Sequence, residues 1–288
     1  MHLFPSLGEL IESPGPEHGR VARMLGLPGE ATRKDFTNLF VIQLAPFASI
    51  YLSTNGLAGG AIRDGIAKYY ELLKVPVPDE PDHVASLLKW YGSLQTELSG
   101  YSKESQLREL RQMFFWNCLA SWLPVYLLRA REVGVTLYRA WAEVTLDVLE
   151  AEAVSVGHPN TAPVPLMTAP APPSVRQPVA FVESLFVPSM SGLILSRADL
   201  GRCAAEHRLV VRVADRRHNI KSFIAENPAG VCSWLYSEAL RQADNVRALP
   251  AAFGPVREFW TRRAEATANA VLEFRSLYAT GGKASKLF

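Results

Sequence analysis

Apolar side chains at helical spacing recur along most of the chain, and this pattern limits the folds that it can adopt. Two neighbouring segments carry such stripes, whose members are Ile62, Ile66, Tyr69, Tyr70 and Leu73 in the first and Val84, Leu87, Leu88, Tyr91, Leu94 and Leu98 in the second. Intervals of three and four residues place apolar side chains on one face of an α-helix. Since the first half of the sequence contains no convincing strand–turn–strand signal, the pattern predicts an all-α fold.

Capping signals mark the start of two predicted helices. Thr32 is followed by Asp35, and Ser196 by Asp199, which is a spacing typical of a capping box. The run at residues 209–218 stays ambiguous, because its alternation of apolar and polar residues is also compatible with a short strand.

Prolines divide the sequence. Seven prolines lie from residue 159 to residue 178, with few long apolar side chains among them. That composition favours an extended, poorly packed connector without regular secondary structure. We therefore expect a helical core at residues 1–155, a proline-rich connector at 156–190 and a C-terminal helical extension at 191–288.

Charge and composition argue against several classes of protein. The formal net charge of +2 gives no strong field for nucleic acid or an anionic membrane. No window reaches about 18 uncharged apolar residues, so we expect no membrane insertion, and the N-terminus lacks the features of a secretory signal. The three cysteines and six histidines show no metal-ligand spacing. These observations predict a cytoplasmic protein without a metal site.

The stretch VPVPDEPDHVASLL at residues 75–88 concentrates charge where a predicted helix begins. Pro81 suits the first helical turn, and Glu80 and Asp82 place negative charge at the positive end of the helix dipole. A helix start explains these residues but not His83. We expect the neighbouring carboxylates to raise the pKa of His83 toward physiological pH.

The Glu-Pro-Asp-His run at residues 80–83 and its flanks resemble the signature of the TorD/DmsD/NarJ family, the all-helical maturation chaperones of molybdenum-cofactor oxidoreductases. Upstream, APFASIYLSTNGLAGGAIRDGIAKYYELL is similar to a family segment with a proline, an aromatic-Ser-x-Tyr group and a glycine-rich turn. Downstream, FFWNCLASWLPVYLLRARE is similar to a family helix. The resemblance covers about residues 38–131, and the C-terminal segment is similar to extensions of longer TorD-like bacterial proteins. It implies a TorD-like helical bundle with additional C-terminal helices.

The resemblance also implies a function and a site. It implies a chaperone, not an enzyme, that binds the N-terminal leader peptide and apo form of a molybdopterin oxidoreductase catalytic subunit and assists cofactor insertion. A twin-arginine leader offers two guanidinium groups and an apolar stretch, which carboxylates and an aromatic groove would recognise. The candidate leader-binding residues are Glu80, Pro81, Asp82, His83, Tyr51, Tyr69, Trp90 and Trp122. Each of the aromatic residues is also compatible with a place in the core.

Basic residues cluster between positions 197 and 221, where Arg212, Arg216 and Arg217 are candidate contacts to an anionic partner. Three interpretations stay open: a solvated face, a contact with an acidic client surface or the phosphates of a pterin cofactor, and DNA binding by a regulator. Nucleic acid is the least favoured partner. We expect no stably bound cofactor and at most a transient contact with a molybdopterin-type cofactor. Both a monomer and a domain-swapped homodimer are compatible with the sequence.

Overall fold

The computed structural model describes residues 3–72, 74–97, 104–159, 161–279 and 287–288, and only the backbone of residues 96, 97 and 104–106. The α-helices are α1 Leu3–Glu9, α2 Pro16–Met24, α3 Arg33–Phe36, α4 Ala48–Leu52, α5 Gly60–Leu72, α6 Val84–Glu97, α7 Glu104–Phe114, α8 Leu123–Val133, α9 Thr136–Val156, α10 Val164–Met167, α11 Pro178–Ser184, α12 Pro188–Ser191, α13 Arg197–His207, α14 Arg216–Glu226, α15 Pro228–Arg247 and α16 Gly254–Tyr278. Two π-helical segments, Thr37–Gln43 and Phe115–Ala120, continue α3 and α7, and a 3₁₀ turn covers Ala251–Phe253. Since these described ranges contain no strand, the predicted all-α fold is confirmed.

Both predicted capping boxes are present. The Thr32 hydroxyl accepts the Asp35 backbone N–H and the Asp35 carboxylate accepts the Thr32 N–H, and Ser196 and Asp199 are paired in the same way. The ambiguous run at residues 209–218 forms no strand. It is irregular as far as residue 215, where α14 follows.

The expectation that residues 156–190 lack regular secondary structure is wrong. Three short helices, α10, α11 and α12, occur there, and each has a proline at its first or second position. A proline in the first turn costs no hydrogen bond, so these prolines begin helices instead of preventing them. The apolar side chains of Phe181, Val182 and Leu185 are buried, which explains why this segment is ordered.

The described residues form two compact units, and both are discontinuous in sequence. Unit 1 contains the chain as far as Ser53, Leu57–Thr168 and Pro250–Val256. Unit 2 contains Thr54–Gly56, Ala169–Leu249 and the chain from Arg257 onward. Each unit has its own buried apolar side chains.

Close packing of α1 against α6 organises unit 1. A Cβ atom at Gly92 of α6 would lie 2.4 Å from the Cδ atom of Pro5 in α1, so a larger residue at this position does not fit. The indole N–H of Trp141 in α9 donates to the Leu7 carbonyl at 3.0 Å and joins a third helix to this pair. The largest fully buried side chains of unit 1 are aromatic and are Tyr91, Phe114, Phe115, Trp116, Trp122, Tyr126, Tyr138, Trp141 and Phe253.

A buried charged network joins α6, α7 and α9 in unit 1. The Glu152 carboxylate is 6% exposed and accepts hydrogen bonds from the Tyr91 hydroxyl and the Arg111 guanidinium. The Gln95 amide donates to its second oxygen at 3.0 Å. Burial and the adjacent Glu152 carboxylate raise the pKa of Tyr91. Both oxygens of the Glu152 carboxylate thus accept hydrogen bonds, which offsets the cost of burying its charge.

Unit 2 is built around α11, α13, α14, α15 and α16. Its core includes Phe181, Phe186, Leu193, Leu200, Ile220, Phe223, Val231, Leu235, Val271 and Phe274. The backbone φ of Gly192 at the end of α12 is 72°, and a Cβ atom there would lie 2.4 Å from the Ala264 nitrogen. This glycine allows the end of α12 to meet α16, where the Thr267 hydroxyl donates to the Ser191 carbonyl at 2.7 Å.

Removal of the Glu152 carboxylate should destabilise unit 1 strongly. We expect Glu152→Ala to lower the free energy of unfolding by about 3–5 kcal/mol, because it leaves the buried Tyr91 hydroxyl and the partly buried Arg111 guanidinium without their acceptor. Urea denaturation followed by circular dichroism measures this change. The exposed Glu143 on the same helix is the matched control, and Glu143→Ala should change stability by less than about 0.5 kcal/mol. Equal effects of the two substitutions would contradict the role of the network.

Candidate functional site

The loop that carries the Glu-Pro-Asp-His run lies along α5. Its start is fixed by the Val75 N–H, which donates to the Tyr70 carbonyl at 3.1 Å. Its middle is fixed by the Arg63 guanidinium, which donates to the Asp79 carbonyl at 3.0 Å. The loop therefore runs from the C-terminal end of α5 back toward its N-terminal end.

The end of the loop pairs with the segment before α4. The Ala48 N–H donates to the Asp82 carbonyl and the Val84 N–H donates to the Pro46 carbonyl, both at 2.9 Å. These two bonds form an isolated antiparallel bridge between Phe47 and His83. Residues more than thirty positions apart in sequence thus hold the run in one place.

The Asp82 carboxylate points into the protein. It is 2% exposed, and its Oδ2 atom accepts from the Ser49 hydroxyl at 2.5 Å and from the Ser49 N–H at 3.2 Å. The Ser49 hydroxyl oxygen in turn accepts the Gly59 N–H at 2.9 Å. Since Ser49 lies in the first turn of α4, the Asp82 carboxylate caps α4. The expectation that Asp82 supplies negative charge to the start of α6 is therefore wrong.

His83 caps α6. It precedes the first helical residue, Val84, and its Nδ1 atom accepts the Ala85 N–H at 3.1 Å. The ring packs edge-on against Phe47, with 5.0 Å between the ring centroids. An Nδ1 atom that accepts a hydrogen bond carries no proton, so the neutral ring keeps its proton on Nε2.

The predicted rise in the pKa of His83 is wrong. Burial lowers the pKa of His83, although the carboxylates of Glu80, Glu12 and Asp82 act in the opposite direction. The physical reason is that half-burial of the ring against Phe47 disfavours the charged form more than these carboxylates favour it.

Glu80 is the carboxylate of the run that faces solvent. Its side chain is exposed, as is that of Asp79, whereas Pro81 is buried. The exposed side chains of Val77 and Leu72 belong to the same surface segment, at the start of the loop and the end of α5. This segment therefore exposes the carboxylates of Asp79 and Glu80, and it exposes the apolar side chains of Leu72 and Val77 before them in the chain.

Three of the four candidate aromatic residues are buried in unit 1. Tyr51 stacks on Trp122 with 5.0 Å between the centroids, and its hydroxyl donates to the Ala45 carbonyl. Trp90 packs between two other aromatic rings. Tyr69 is half-buried and its hydroxyl accepts from the Asn117 amide at 3.4 Å. Their part in leader binding stays a prediction, and in this structure Tyr69 is the most exposed of the four.

Most basic side chains between residues 197 and 221 contact unit 2 itself. Arg216 donates to the Leu195 carbonyl, and Arg217 donates to the Asn55 carbonyl at 2.9 Å. Arg202 pairs with Asp199 and Glu238, and Lys221 with Glu183. The sequence showed the positive charges but not the partners Glu183 and Glu238, because these two carboxylates lie outside the basic run. Arg212 remains exposed, and these internal contacts weaken the case for DNA binding.

Ser49, Gly59, Arg63 and Phe47 contribute to this site, and the sequence indicates a role in it for none of them. Ser49 lies in the aromatic-Ser-x-Tyr group that carries the upstream resemblance, but nothing in the sequence indicates its contact with Asp82. A hydrogen bond across 33 residues leaves no periodic signal in a single sequence.

The described residues show neither a metal site nor a membrane span. Within them, no group of three or more His, Cys, Asp or Glu residues is placed to hold a metal ion. None of the described helices is both long and apolar enough to cross a membrane. The three cysteines are free and buried, and burial raises the pKa of Cys203 and of Cys232 to about 12, which makes these two thiols poor nucleophiles.

The all-helical fold and the Glu-Pro-Asp-His loop agree with the family that the sequence resembles. The family model of the nitrate reductase delta subunit matches residues 23–127, which include this loop and the helices on both sides of it. The resemblance to the TorD/DmsD/NarJ family is thereby confirmed over these residues, and that family consists of molybdoenzyme maturation chaperones. Comparison with curated proteins and with solved structures found no significant match.

The bond between Asp82 and Ser49 can be tested by a double-mutant cycle. We expect Asp82→Ala to lower the free energy of unfolding by about 1–3 kcal/mol, because it leaves the buried Ser49 donors unpaired. Ser49→Ala in the Asp82→Ala background should then cost much less than Ser49→Ala alone. Urea denaturation of the four proteins gives the coupling energy. Additive effects would show that the two side chains do not act together.

The cap formed by His83 predicts a pH dependence with a definite sign. Because its pKa is lowered on folding, His83 contributes stability above its unfolded pKa of about 6.5, and this contribution is lost as pH falls toward the folded pKa. His83→Asn keeps a capping side chain without this titration. Wild type should therefore lose stability relative to His83→Asn between about pH 7.5 and pH 5, measured by urea denaturation at each pH. A difference that does not change with pH would refute the assignment.

Proposed function

We propose that the chain is a cytoplasmic maturation chaperone of a molybdopterin oxidoreductase. In this role it binds the leader peptide and apo form of the catalytic subunit and assists insertion of the cofactor, which belongs to the client. The family match over residues 23–127 supports the class of function. The observation that carries the proposal is the exposed Glu80 carboxylate. It lies on a loop in which Asp82 and His83 form hydrogen bonds within the protein.

The fixed loop suits recognition of an arginine pair. Asp82 and His83 use their polar atoms to hold the loop, and Pro76, Pro78 and Pro81 restrict its backbone. Glu80 and Asp79 therefore present two carboxylates without a large loss of backbone entropy on binding. Guanidinium groups bind carboxylates through paired charged hydrogen bonds, which gives this site a preference for arginine over lysine.

Exposed apolar side chains precede these carboxylates in the chain, and in this proposal they contact the apolar part of the leader. Val77 is three residues before Glu80, and Leu72 ends the helix along which the loop lies, and both side chains are exposed. A leader that places its arginines on Glu80 and Asp79 would continue over these apolar side chains. In this proposal Asp82 and His83 position the loop, and Glu80 makes the contact.

Calorimetric titration of a twin-arginine leader peptide into the full chain tests the proposal. We expect Glu80→Gln to weaken binding by about 10- to 100-fold, because one charged hydrogen bond to arginine contributes about 1.5–3 kcal/mol. Glu143→Gln, at an exposed position on α9, should leave the affinity unchanged. A peptide with both arginines replaced by lysine should bind wild type more weakly.

Two results would count against this function. Equal affinity of wild type and Glu80→Gln would remove Glu80 from the site. Failure of wild type to bind the leader peptide at all, with the protein shown to be folded by its melting curve, would overturn leader binding itself.

A further inference from the structure

A cavity with basic and apolar walls lies in unit 2, and none of the residues assigned above to leader binding lines it. Its volume is about 450 Å³, within the range of sites that bind small ligands or single side chains. Val179, Ala225 and Phe288 contribute apolar surface, and Arg212, His218 and Lys221 contribute basic groups. No Asp or Glu belongs to the described residues that line it.

Arg212 gives the cavity a positive charge that no other described side chain neutralises. Its guanidinium is exposed and forms no ion pair with any residue that the structure describes. Lys221 is in a different position, because it pairs with Glu183 at 2.6 Å. An exposed guanidinium beside an apolar wall favours an anionic group that is attached to an apolar one.

Three exposed valines lie on the loop that carries Arg212. Val210 is 70% exposed and Val211 51%, and Val213 is fully exposed. Loops normally present polar side chains to water, and a group of apolar side chains at the surface marks an interaction site more often than isolated ones do.

A buried asparagine fixes this loop. Asn219 is 2% exposed, its Oδ1 atom accepts the Arg212 N–H at 2.8 Å, and its amide donates to the carbonyls of Arg212 and Asp215 at 3.2 and 3.0 Å. The valines are therefore held at the surface by specific hydrogen bonds. A loop that is ordered before binding loses less entropy when a partner docks.

We propose that the cavity and the valines of residues 210–213, together called the Arg212 surface, dock an acidic and apolar peptide segment of the client. An apolar side chain of the segment enters the cavity, a carboxylate next to it pairs with Arg212, and further apolar side chains cover the valines. The identity of the partner as the client rests on the proposed function. The chemistry of the docked segment does not.

Charge selects this occupant over two others. A second copy of the chain would bring its own Arg212 and exposed Arg208 to the surface, and like charges across an interface cost affinity. Nucleic acid would satisfy Arg212 through a phosphate but would leave the valines and Phe288 without apolar contacts. An acidic and apolar peptide satisfies both parts of the surface.

Selection from a random peptide library displayed on phage, with the full chain as the target, tests the proposal. We expect enrichment of sequences in which Asp or Glu neighbours Phe, Leu or Val. A synthetic peptide of the enriched sequence should bind Arg212→Glu and Ser222→Trp at least about tenfold more weakly than wild type, because the first reverses the charge and the second fills the cavity. Arg139→Glu and Ala205→Trp, at exposed positions outside the cavity, are the controls and should bind as wild type does.

Several outcomes would overturn the Arg212 surface: no enrichment, enrichment of basic or uncharged sequences, or binding that neither substitution changes. A DNA duplex that binds in place of the peptide and depends on Arg212 would assign the surface to nucleic acid. Because Arg212→Glu lies on an exposed loop, its failure to bind cannot be ascribed to a packing defect when its melting temperature matches that of wild type. Titration of the leader peptide into the same samples separates the proposed function from the proposal for the Arg212 surface. If the chain binds the leader but enriches no peptide, the proposed function stands and the proposal for the Arg212 surface is wrong.

Discussion

The hydrogen bonds between the buried Asp82 carboxylate and Ser49 are the contacts on which the candidate site depends. A buried carboxylate is costly unless it is hydrogen-bonded, and here it accepts both donors of Ser49, whose oxygen in turn accepts from Gly59. This arrangement connects the start of α4, the glycine turn before α5 and the loop before α6. The position of Glu80 at the surface follows from it, because the two backbone bonds of the adjacent bridge leave the loop little freedom.

The helices were predictable because their signals are local. Apolar spacing within one turn and the capping pairs at Thr32 and Ser196 depend on residues three or four positions apart, and they correspond to helices in the structure. The composition does not predict the short helices α10, α11 and α12, because a proline-rich segment is typical of an extended chain. The decisive property was the position of each proline in the first helical turn, together with burial of side chains such as Phe181, which the local composition does not reveal.

The location of the candidate site stays a prediction, whereas the structure assigns contacts to its residues that the sequence did not indicate. The charged run at a helix start draws attention to residues 80–83, and the family resemblance implies that this run binds a leader peptide. Which carboxylate faces water was not predictable, because the inward direction of Asp82 depends on Ser49, a distant residue. The predicted rise in the pKa of His83 is wrong for a similar reason. The charged neighbours are visible in the sequence, whereas the burial that lowers the pKa is not.

Unit 1 contains a segment that the chain supplies late, at Pro250–Val256. Phe253 and Val256 in this segment are fully buried, and the 3₁₀ turn that contains Phe253 packs against α9. During synthesis on the ribosome, these residues emerge only after all of residues 169–249 have been translated. Domains often fold as soon as their chain is complete, starting from the N-terminus. For this protein, the last core contacts of the unit that carries Glu80 cannot form until most of unit 2 has been made, so unit 1 is incomplete on any nascent chain shorter than about 250 residues.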